Sequence, residues 1–224
     1  MRVAVLHFLG TNCERDTHYA LQKAGAKVQM LAHTEAQLPQ KCDLVVIPGG
    51  FSYGDYLRCG AIARVAPIME AVSRFADQGG RVLGICNGFQ ILLEAGLLPG
   101  AMRRNANLHF ISRYQPMRVV SNDNRFLGKL DEGQILTVPL AHAEGNYYID
   151  EPGYKALQQN NQILLTYCDA TGAPMGVNGA VGDIAGIRNE AGNVFGLMPH
   201  PERAVDAITG STDGLTLLKS VLEG

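Results

Sequence analysis

Short and almost entirely apolar segments occupy the first half of the sequence, and each is followed by turn residues. Val3–Leu6, Leu44–Ile47 and Val82–Ile85 contain no polar side chain, and Val28–Leu31 contains a single glutamine. Segments of this length and composition are typical of strands that are buried on both faces, as in parallel sheets. The sequence therefore predicts a parallel β-sheet that is covered by helices.

The segments between these strands show helical periodicity. Tyr19, Leu21 and Ala24 mark one face of a first helix that ends at Gly25, and further helices are predicted over Ile62–Ala76 and Phe89–Ala95. Strands that alternate with helices indicate an α/β fold with right-handed crossovers. We therefore expect an open, mostly parallel sheet with helices on both faces.

The pattern changes after about residue 110, where short strands are separated by turns. This change predicts antiparallel additions to the sheet in the second half. The strand candidates are Met117–Val120, Gln134–Val138, Ile163–Tyr167, Ile184–Arg188 and Val194–Leu197. A closing helix is predicted over Leu215–Leu222. Because no repeat or long linker divides the chain, residues 1–224 are expected to form a single domain.

Composition and charge argue against several classes of protein. Hydrophobic residues make up 46% and charged residues 18% of the 224 residues, as in ordinary globular proteins. The formal net charge is −2 and no basic run is present, so nucleic acid is not an expected partner. The first apolar segment is too short to cross a membrane, and no membrane partner is expected. Five cysteines without a C-x-x-C pair favour a reducing cytoplasm.

Cys86 lies in the pattern Gly84-Ile85-Cys86-Asn87-Gly88, between an apolar strand and a helix. This is the context of a nucleophile elbow, in which glycines allow a sharp turn and the nucleophile projects beside the N-terminus of a helix. The helix dipole and a cationic partner would favour the thiolate there. The alternative is that Cys86 is a small buried apolar residue.

His200-Pro201-Glu202 follows the apolar segment that ends at Met198. The residue before a proline prefers extended geometry, and extended residues two apart project to the same side. His200 and Glu202 are thus predicted to act together, the histidine as the base and the carboxylate as the group that orients it. A loop with a solvated glutamate is the alternative.

Three further residues are candidates for contact with the substrate. Gly50, in Pro48-Gly49-Gly50-Phe51, lies at the carboxyl end of a parallel strand, on the same edge as Cys86. Its backbone N–H and that of Asn87 are predicted to form an oxyanion hole. Gln90, one turn after Cys86, either binds a substrate amide or lies on the helix surface.

No cofactor is expected in this chain. The sequence contains neither a G-x-x-x-x-G-K-[ST] phosphate loop nor a G-x-G-x-x-G motif after its first strand. His7, His18, His33 and His109 lack the spacing of metal ligands and are interpreted as structural or surface residues. No metal site is predicted.

An elbow cysteine that is followed far downstream by His-Pro-Glu resembles the triad of class I glutamine amidotransferases, which have a flavodoxin-like α/β fold. Longer blocks resemble the glutaminase subunits of phosphoribosylformylglycinamidine synthase, an enzyme of purine biosynthesis. These blocks are Gly10–Asp16, Pro48–Arg58, Ile85–Gln90 and Gly192–Arg203. Leu9 and Asn146 depart from the pattern of that family, and neither belongs to the triad.

The resemblance implies an activity and partners. Glutamine would be hydrolysed to glutamate and ammonia, with Cys86, His200 and Glu202 as the triad. Ammonia would pass to a large synthase subunit, accompanied by a small bridging subunit, which converts formylglycinamide ribonucleotide to formylglycinamidine ribonucleotide with ATP and Mg²⁺. Asn105, Phe110 and Arg113 lie in a segment that helps to hold glutamine in related enzymes. Residues 141–145 would lie near the site or the synthase.

Two other functions remain open from the sequence. The triad would serve equally well in a glutaminase subunit that feeds a different synthase. A cysteine-bearing stress protein or hydrolase of the same topology is the second alternative, although such proteins usually lack His-Pro-Glu after the last strand.

Overall fold

A computed structural model describes all 224 residues. Its strands are β1 Arg2–His7, β2 Lys27–Ala32, β3 Leu44–Ile47, β4 Arg81–Ile85, β5 Ala101–Arg103, β6 Ile111–Val119, β7 Ile135–His142, β8 Asn146–Tyr148, β9 Ile163–Tyr167, β10 Ile184–Arg188 and β11 Val194–Leu197. Its α-helices are α1 Glu14–Lys23, α2 Pro67–Asp77, α3 Asn87–Glu94, α4 Glu151–Gln159 and α5 Asp213–Glu223.

Nine strands form one sheet in the order β2-β1-β3-β4-β11-β10-β9-β6-β7. The first five of these strands pair in parallel, and the remaining pairs are antiparallel. Strands β5 and β8 form a separate two-stranded antiparallel sheet. The predicted α/β fold, with a parallel first half and antiparallel additions, is confirmed.

Strands β3 and β4 are buried at every residue, because helices cover both faces of the sheet at its centre. A single hydrophobic cluster of 57 buried residues extends from β1 to α5, so the parallel and antiparallel halves share one core. The carboxyl ends of β3, β4 and β11 meet at one edge of this core. In parallel α/β sheets this edge is where ligands bind.

Three local predictions were wrong or incomplete. The helix predicted over Ile62–Ala76 is broken at Ala66, which is extended (φ −64°, ψ 144°) because Pro67 follows it. Tyr19 lies on the solvent side of α1 and is 52% exposed, whereas Thr17, Ala20 and Leu21 form the buried face. The first part of β6 and three whole elements were not predicted. These elements are β5, β8 and α4.

No helix combines the length and the apolar character that are needed to cross a lipid bilayer.

Candidate active site

Cys86 occupies a sharp turn between β4 and α3. Its backbone has φ 51° and ψ −107°, a conformation that residues other than glycine rarely adopt. The Cys86 N–H donates to the carbonyl of Leu197 on β11 (2.8 Å), and the Gln90 N–H donates to the Cys86 carbonyl (3.1 Å). The strand pairing and the first turn of α3 therefore both fix the elbow.

Glycine is required on both sides of this elbow. A Cβ atom at Gly88 would lie 1.9 Å from the carbonyl oxygen of Ile47, at the end of β3. A Cβ atom at Gly84 would lie 2.7 Å from the backbone of Gly88. The two glycines thus allow α3 to pack directly on the sheet, which places the thiol above its carboxyl edge.

His200 and Glu202 form a buried pair beyond β11. His200 Nδ1 lies 2.6 Å from Glu202 Oε1, and both side chains are almost completely buried. The extended geometry that we predicted for this segment is wrong, because Pro201–Arg203 forms a 3₁₀ turn. The turn nevertheless brings the two side chains together, and the His200 N–H is fixed by the carbonyl of Pro139 (2.8 Å).

The imidazole of His200 lies beside the Cys86 side chain. The position that a Cβ atom of Gly49 would occupy is 2.8 Å from His200 Cε1 and 3.4 Å from Cys86 Cβ. His200 Nε2 is buried without a hydrogen-bond partner. Burial would lower the pKa of His200, but the charges of Glu202 and then of Cys86 outweigh it and raise that pKa well above its usual value. The histidine is therefore suited to accept a proton.

Gly50 lies at the mouth of the site with its N–H free of any hydrogen bond within the protein. Its φ of 151° and its approach to Thr11 exclude a side chain, since a Cβ atom would lie 2.7 Å from Thr11 Cα. Asn87 is the first residue of α3, where backbone N–H groups lack intrahelical partners. Both predicted oxyanion donors thus lie at helix or turn positions that flank Cys86.

Gln90 does not line the cavity at Cys86. Its side chain is 5% exposed, so the alternative that it lies on the helix surface is wrong. Its Oε1 accepts from Asn87 Nδ2 (2.9 Å), and its Nε2 donates to the carbonyl of Glu144 (2.6 Å). Gln90 therefore ties α3 to residues 141–145, and within that segment the Ala141 carbonyl lies 3.8 Å from Cys86 Sγ.

The structure separates the three candidates of the segment 105–113. Phe110 lines the cavity at Cys86 and is 52% exposed. Asn105 is buried behind the cavity, where its Oδ1 accepts from the Gly145 N–H (3.1 Å) and its Nδ2 donates to the His142 carbonyl (2.9 Å). Arg113 lies outside the cavity and donates to Gln115 Oε1 (2.8 Å). Only Phe110 is placed to contact a ligand beside Cys86.

The cavity at Cys86 measures about 250 Å³. It is lined by Asn12, Cys13, Gly50, Phe51, Cys86, Phe110, Ser112, Ala141, His200 and Arg203. A larger cavity of about 480 Å³ lies between α1 and β2, but no cysteine lines it, so we assign the chemistry to the smaller one. Sequence reasoning assigned no role to Cys13 or Arg203. The sequence feature that could have indicated these two residues is their position in turns at the carboxyl edge of the sheet.

Cys13, His200 and Glu202 offer ligand atoms that lie within 4.8 Å of one another, a spacing that is compatible with a metal ion. However, Glu202 Oε1 is already bound by His200, and the guanidinium of Arg203 contacts Cys13 Sγ at 2.9 Å. A positive charge thus occupies the approach to the sulfur atom. This cluster is better suited to proton transfer than to binding a cation.

One family model matches nearly the whole chain. Residues 1–214 match the family described as the CobB/CobQ-like glutamine amidotransferase domain. The chain belongs to this family of glutamine amidotransferases.

Curated proteins include relatives that match the chain over nearly its full length. A protein from Sulfurimonas denitrificans is 54% identical over 222 residues, which cover 99% of each chain. A protein from Helicobacter hepaticus is 57% identical over 222 residues, which cover 99% of this chain and 97% of the relative. Both relatives are named phosphoribosylformylglycinamidine synthase subunit PurQ.

Solved structures share the fold. A chain in the structure of PurLQS from Thermotoga maritima superposes with a TM-score of 0.88 at 39% identity, covering 99% of this chain and 97% of that chain. A glutamine amidotransferase from Thermotoga maritima has a TM-score of 0.64 at 16% identity, which supports the fold alone. It covers 100% of this chain and 96% of that chain.

Proposed function

We propose that this chain is the glutaminase subunit of a phosphoribosylformylglycinamidine synthase. The observation that carries the proposal is the position of Cys86 at an elbow with φ 51°, beside the buried pair of His200 and Glu202. Relatives that are more than 50% identical over nearly their whole length carry the name of that subunit. The proposed reaction is hydrolysis of glutamine to glutamate and ammonia.

Acylation begins when the Cys86 thiol gives its proton to His200 and its sulfur attacks the side-chain carboxamide carbon. The C–N bond then breaks, and His200 returns the proton to the departing ammonia. Glu202 stabilises the imidazolium and fixes the ring through its 2.6 Å contact with Nδ1. A water molecule, activated by the same histidine, hydrolyses the thioester and releases glutamate.

The tetrahedral intermediates of both steps carry negative charge on the former carboxamide oxygen. We assign the backbone N–H groups of Gly50 and Asn87 to this oxygen. The free N–H of Gly50 and the N-terminal position of Asn87 on α3 support the assignment. Removal of one such donor typically costs about 10²- to 10³-fold in rate.

Ammonia would be used by a large synthase subunit that holds ATP and Mg²⁺, with a small bridging subunit in the complex. Exposed apolar side chains lie at the mouth of the cavity and on the adjacent loops, where they favour docking of a protein. These are Phe51, Tyr56, Leu57, Leu108 and Phe110, and Leu57 is 87% exposed. Docking there would complete the site, so the isolated chain is expected to hydrolyse glutamine slowly. A cytoplasmic location accords with five free cysteines.

Reconstitution tests this assignment. The chain is combined with the synthase and bridging subunits, formylglycinamide ribonucleotide, ATP and Mg²⁺, and formylglycinamidine ribonucleotide is measured. Glutamine should support product formation with the wild-type chain but not with Cys86→Ala, whereas added ammonium salt should support it with both. Cys59→Ala is the matched control, because Cys59 does not line the cavity at Cys86, and burial and then Asp55 raise the pKa of its thiol.

Other outcomes separate the alternatives. Cys86-dependent release of glutamate without formylglycinamidine ribonucleotide would assign the chain to a different synthase. Absence of glutamate release under every condition would contradict the glutaminase function and favour the stress-protein alternative.

A further inference from the structure

The ionisable side chains that line the cavity at Cys86 include bases but no carboxylate. Among its ten lining residues, only His200 and Arg203 are bases, and no aspartate or glutamate lines the cavity. His200 contacts Glu202 through Nδ1, and the opposite edge of its imidazole faces Cys86. Arg203 is therefore the one permanent positive charge that a ligand in this cavity would meet. The proposed proton transfers do not use it.

Arg203 is fixed by a single short contact. Its Nη2 donates to Cys13 Sγ at 2.9 Å, while its Nε lies 4.0 Å from Glu202 Oε1. No other hydrogen bond of the Arg203 side chain is formed within the protein. A guanidinium carries five N–H donors, so most of them are available to a ligand. The side chain is 34% exposed, which leaves a path from the solvent.

Cys13 joins this guanidinium to the wall of the cavity that also carries Cys86. Its side chain is 1% exposed. The position of a Gly49 Cβ atom would be 3.2 Å from Cys13 Sγ and 3.4 Å from Cys86 Cβ, so the two cysteines flank Gly49. Arg203 therefore contacts the nucleophile's neighbour Cys13 directly. The cavity thus contains both the nucleophile Cys86 and a cation, Arg203.

Glutamine carries a carboxamide, which is the target of the thiol, and an α-carboxylate, which suits a cation. We propose that Arg203 binds the α-carboxylate of glutamine and that Cys13 positions its guanidinium for this contact. The inference rests on the proposed glutaminase function and adds a determinant of substrate specificity to it. Arginine pairs with carboxylates through two parallel N–H···O bonds, which fix both the charge and the orientation of the ligand.

The same arrangement offers nothing comparable to the α-ammonium group, because no carboxylate lines the cavity. The α-carboxylate of the substrate should thus contribute more to kcat/KM than the α-ammonium group. Glutaramate, which lacks the amino group, should remain a substrate. 4-Aminobutanamide, which lacks the carboxylate, should be a poor one.

The test compares kcat/KM for glutamine, glutaramate and 4-aminobutanamide in the complex with the synthase subunits. In the wild-type complex, loss of the carboxylate should lower kcat/KM by at least 10-fold, the usual effect of losing one charge-assisted pair. Arg203→Gln should lower kcat/KM for glutamine by about 10- to 100-fold, mainly through KM, and leave 4-aminobutanamide nearly unchanged. Arg203→Lys should recover part of the preference.

Two controls keep the result interpretable. Arg118→Gln removes an exposed arginine on β6 that does not line the cavity, and it should retain the full preference. Alkylation of Cys86 by uncharged iodoacetamide should proceed at the wild-type rate in Arg203→Gln, which reports a folded site.

An equal loss for all three substrates in Arg203→Gln, or an undiminished preference for those with a carboxylate, would overturn the role of Arg203 and leave the glutaminase function in place. Absence of glutamine hydrolysis by the wild-type complex would overturn both.

Discussion

The proposed proton acceptor beside Cys86, His200, depends on one carboxylate. Glu202 is completely buried and contacts His200 Nδ1 at 2.6 Å. Burial would by itself lower the pKa of His200, and Glu202 provides the largest of the effects that raise it. The folded-state pKa of the histidine is therefore above its unfolded value. The charged imidazolium, and the stability that it contributes, is lost as the pH rises through the folded-state pKa.

Glu202→Gln should remove this effect. We expect kcat to fall by about 10²- to 10⁴-fold, because the amide neither stabilises the imidazolium nor fixes its tautomer. The alkaline limb of the pH profile of kcat/KM should move to lower pH, since the pKa of His200 falls. Glu190→Gln, at an exposed turn, serves as the control. An alkaline limb that stays at the wild-type pH in Glu202→Gln would contradict the account.

At the residue scale the sequence indicated candidate residues more readily than it predicted their contacts. Cys86, His200 and Glu202 stand out because each lies at a strand end within a distinctive pattern. Gln90 and Asn105 could not be placed, since the hydrogen bonds that turn them away from the cavity come from residues 142–145, more than 35 positions distant. Contacts of this kind are set by tertiary packing, which local patterns do not encode.

At the scale of elements, the contact between α3 and β3 determines where the thiol lies. Gly88 leaves no room for a methyl group against the carbonyl of Ile47. Because that carbonyl belongs to the backbone of a buried strand, the helix must move if a side chain is introduced. Movement of α3 would displace Cys86 from His200.

Gly88→Ala should therefore affect stability and activity together. We expect a loss of about 1–3 kcal/mol in the free energy of unfolding, together with a fall in glutaminase activity at temperatures where the protein remains folded. Gly79→Ala is the matched control, with φ 84° and no atom within 4 Å of the added methyl group. It should cost about 1 kcal/mol through backbone strain alone and retain activity. Full activity in folded Gly88→Ala would show that the close packing is not needed.

Some helices and strands were predicted from the sequence more accurately than others. The buried strands β3 and β4 have no polar residue between Leu44 and Ile47 or between Val82 and Ile85, and both were predicted. The helix predicted over Ile62–Ala76 failed at Pro67, because its apolar periodicity continues through a residue that breaks the backbone pattern. Helix α4 has only one buried residue, Leu157, and its periodicity is correspondingly weak.

At the scale of the whole molecule, one core supports both halves of the sheet and encloses a histidine. His142, at the end of β7, is 3% exposed, and burial followed by the charge of His200 lowers its pKa from 6.5 to about 4. The unfolded chain thus binds a proton that the folded protein excludes between these pH values. Stability should fall as the pH decreases through this range.

Chemical denaturation at pH 7 and at pH 4 measures this effect. His142 should account for a loss on the order of 3 kcal/mol in the free energy of unfolding over that interval. The free energy of unfolding of His142→Gln should fall less than that of the wild type by this amount. His109→Gln, on an exposed loop, should behave as the wild type. An unchanged pH dependence in His142→Gln would rule out the buried histidine as its source.

The antiparallel half of the sheet places residues 139–142 of β7 beside His200 and Cys86, although these positions are far apart in the sequence. The parallel half followed from apolar runs, and the order of the antiparallel strands did not, because their pairing depends on long-range register. The candidate active site therefore forms only when both halves of the sheet are assembled.

The central claim is that Cys86 carries the glutamyl group during hydrolysis of glutamine. The most direct measurement is acid quenching of the complex during turnover of labelled glutamine, followed by peptide mapping of the trapped thioester. We predict the glutamyl label on the peptide that contains Cys86 and on no other cysteine. A glutamyl label on Cys13 during continued release of glutamate would contradict the claim. So would the absence of any thioester together with undiminished activity in Cys86→Ala.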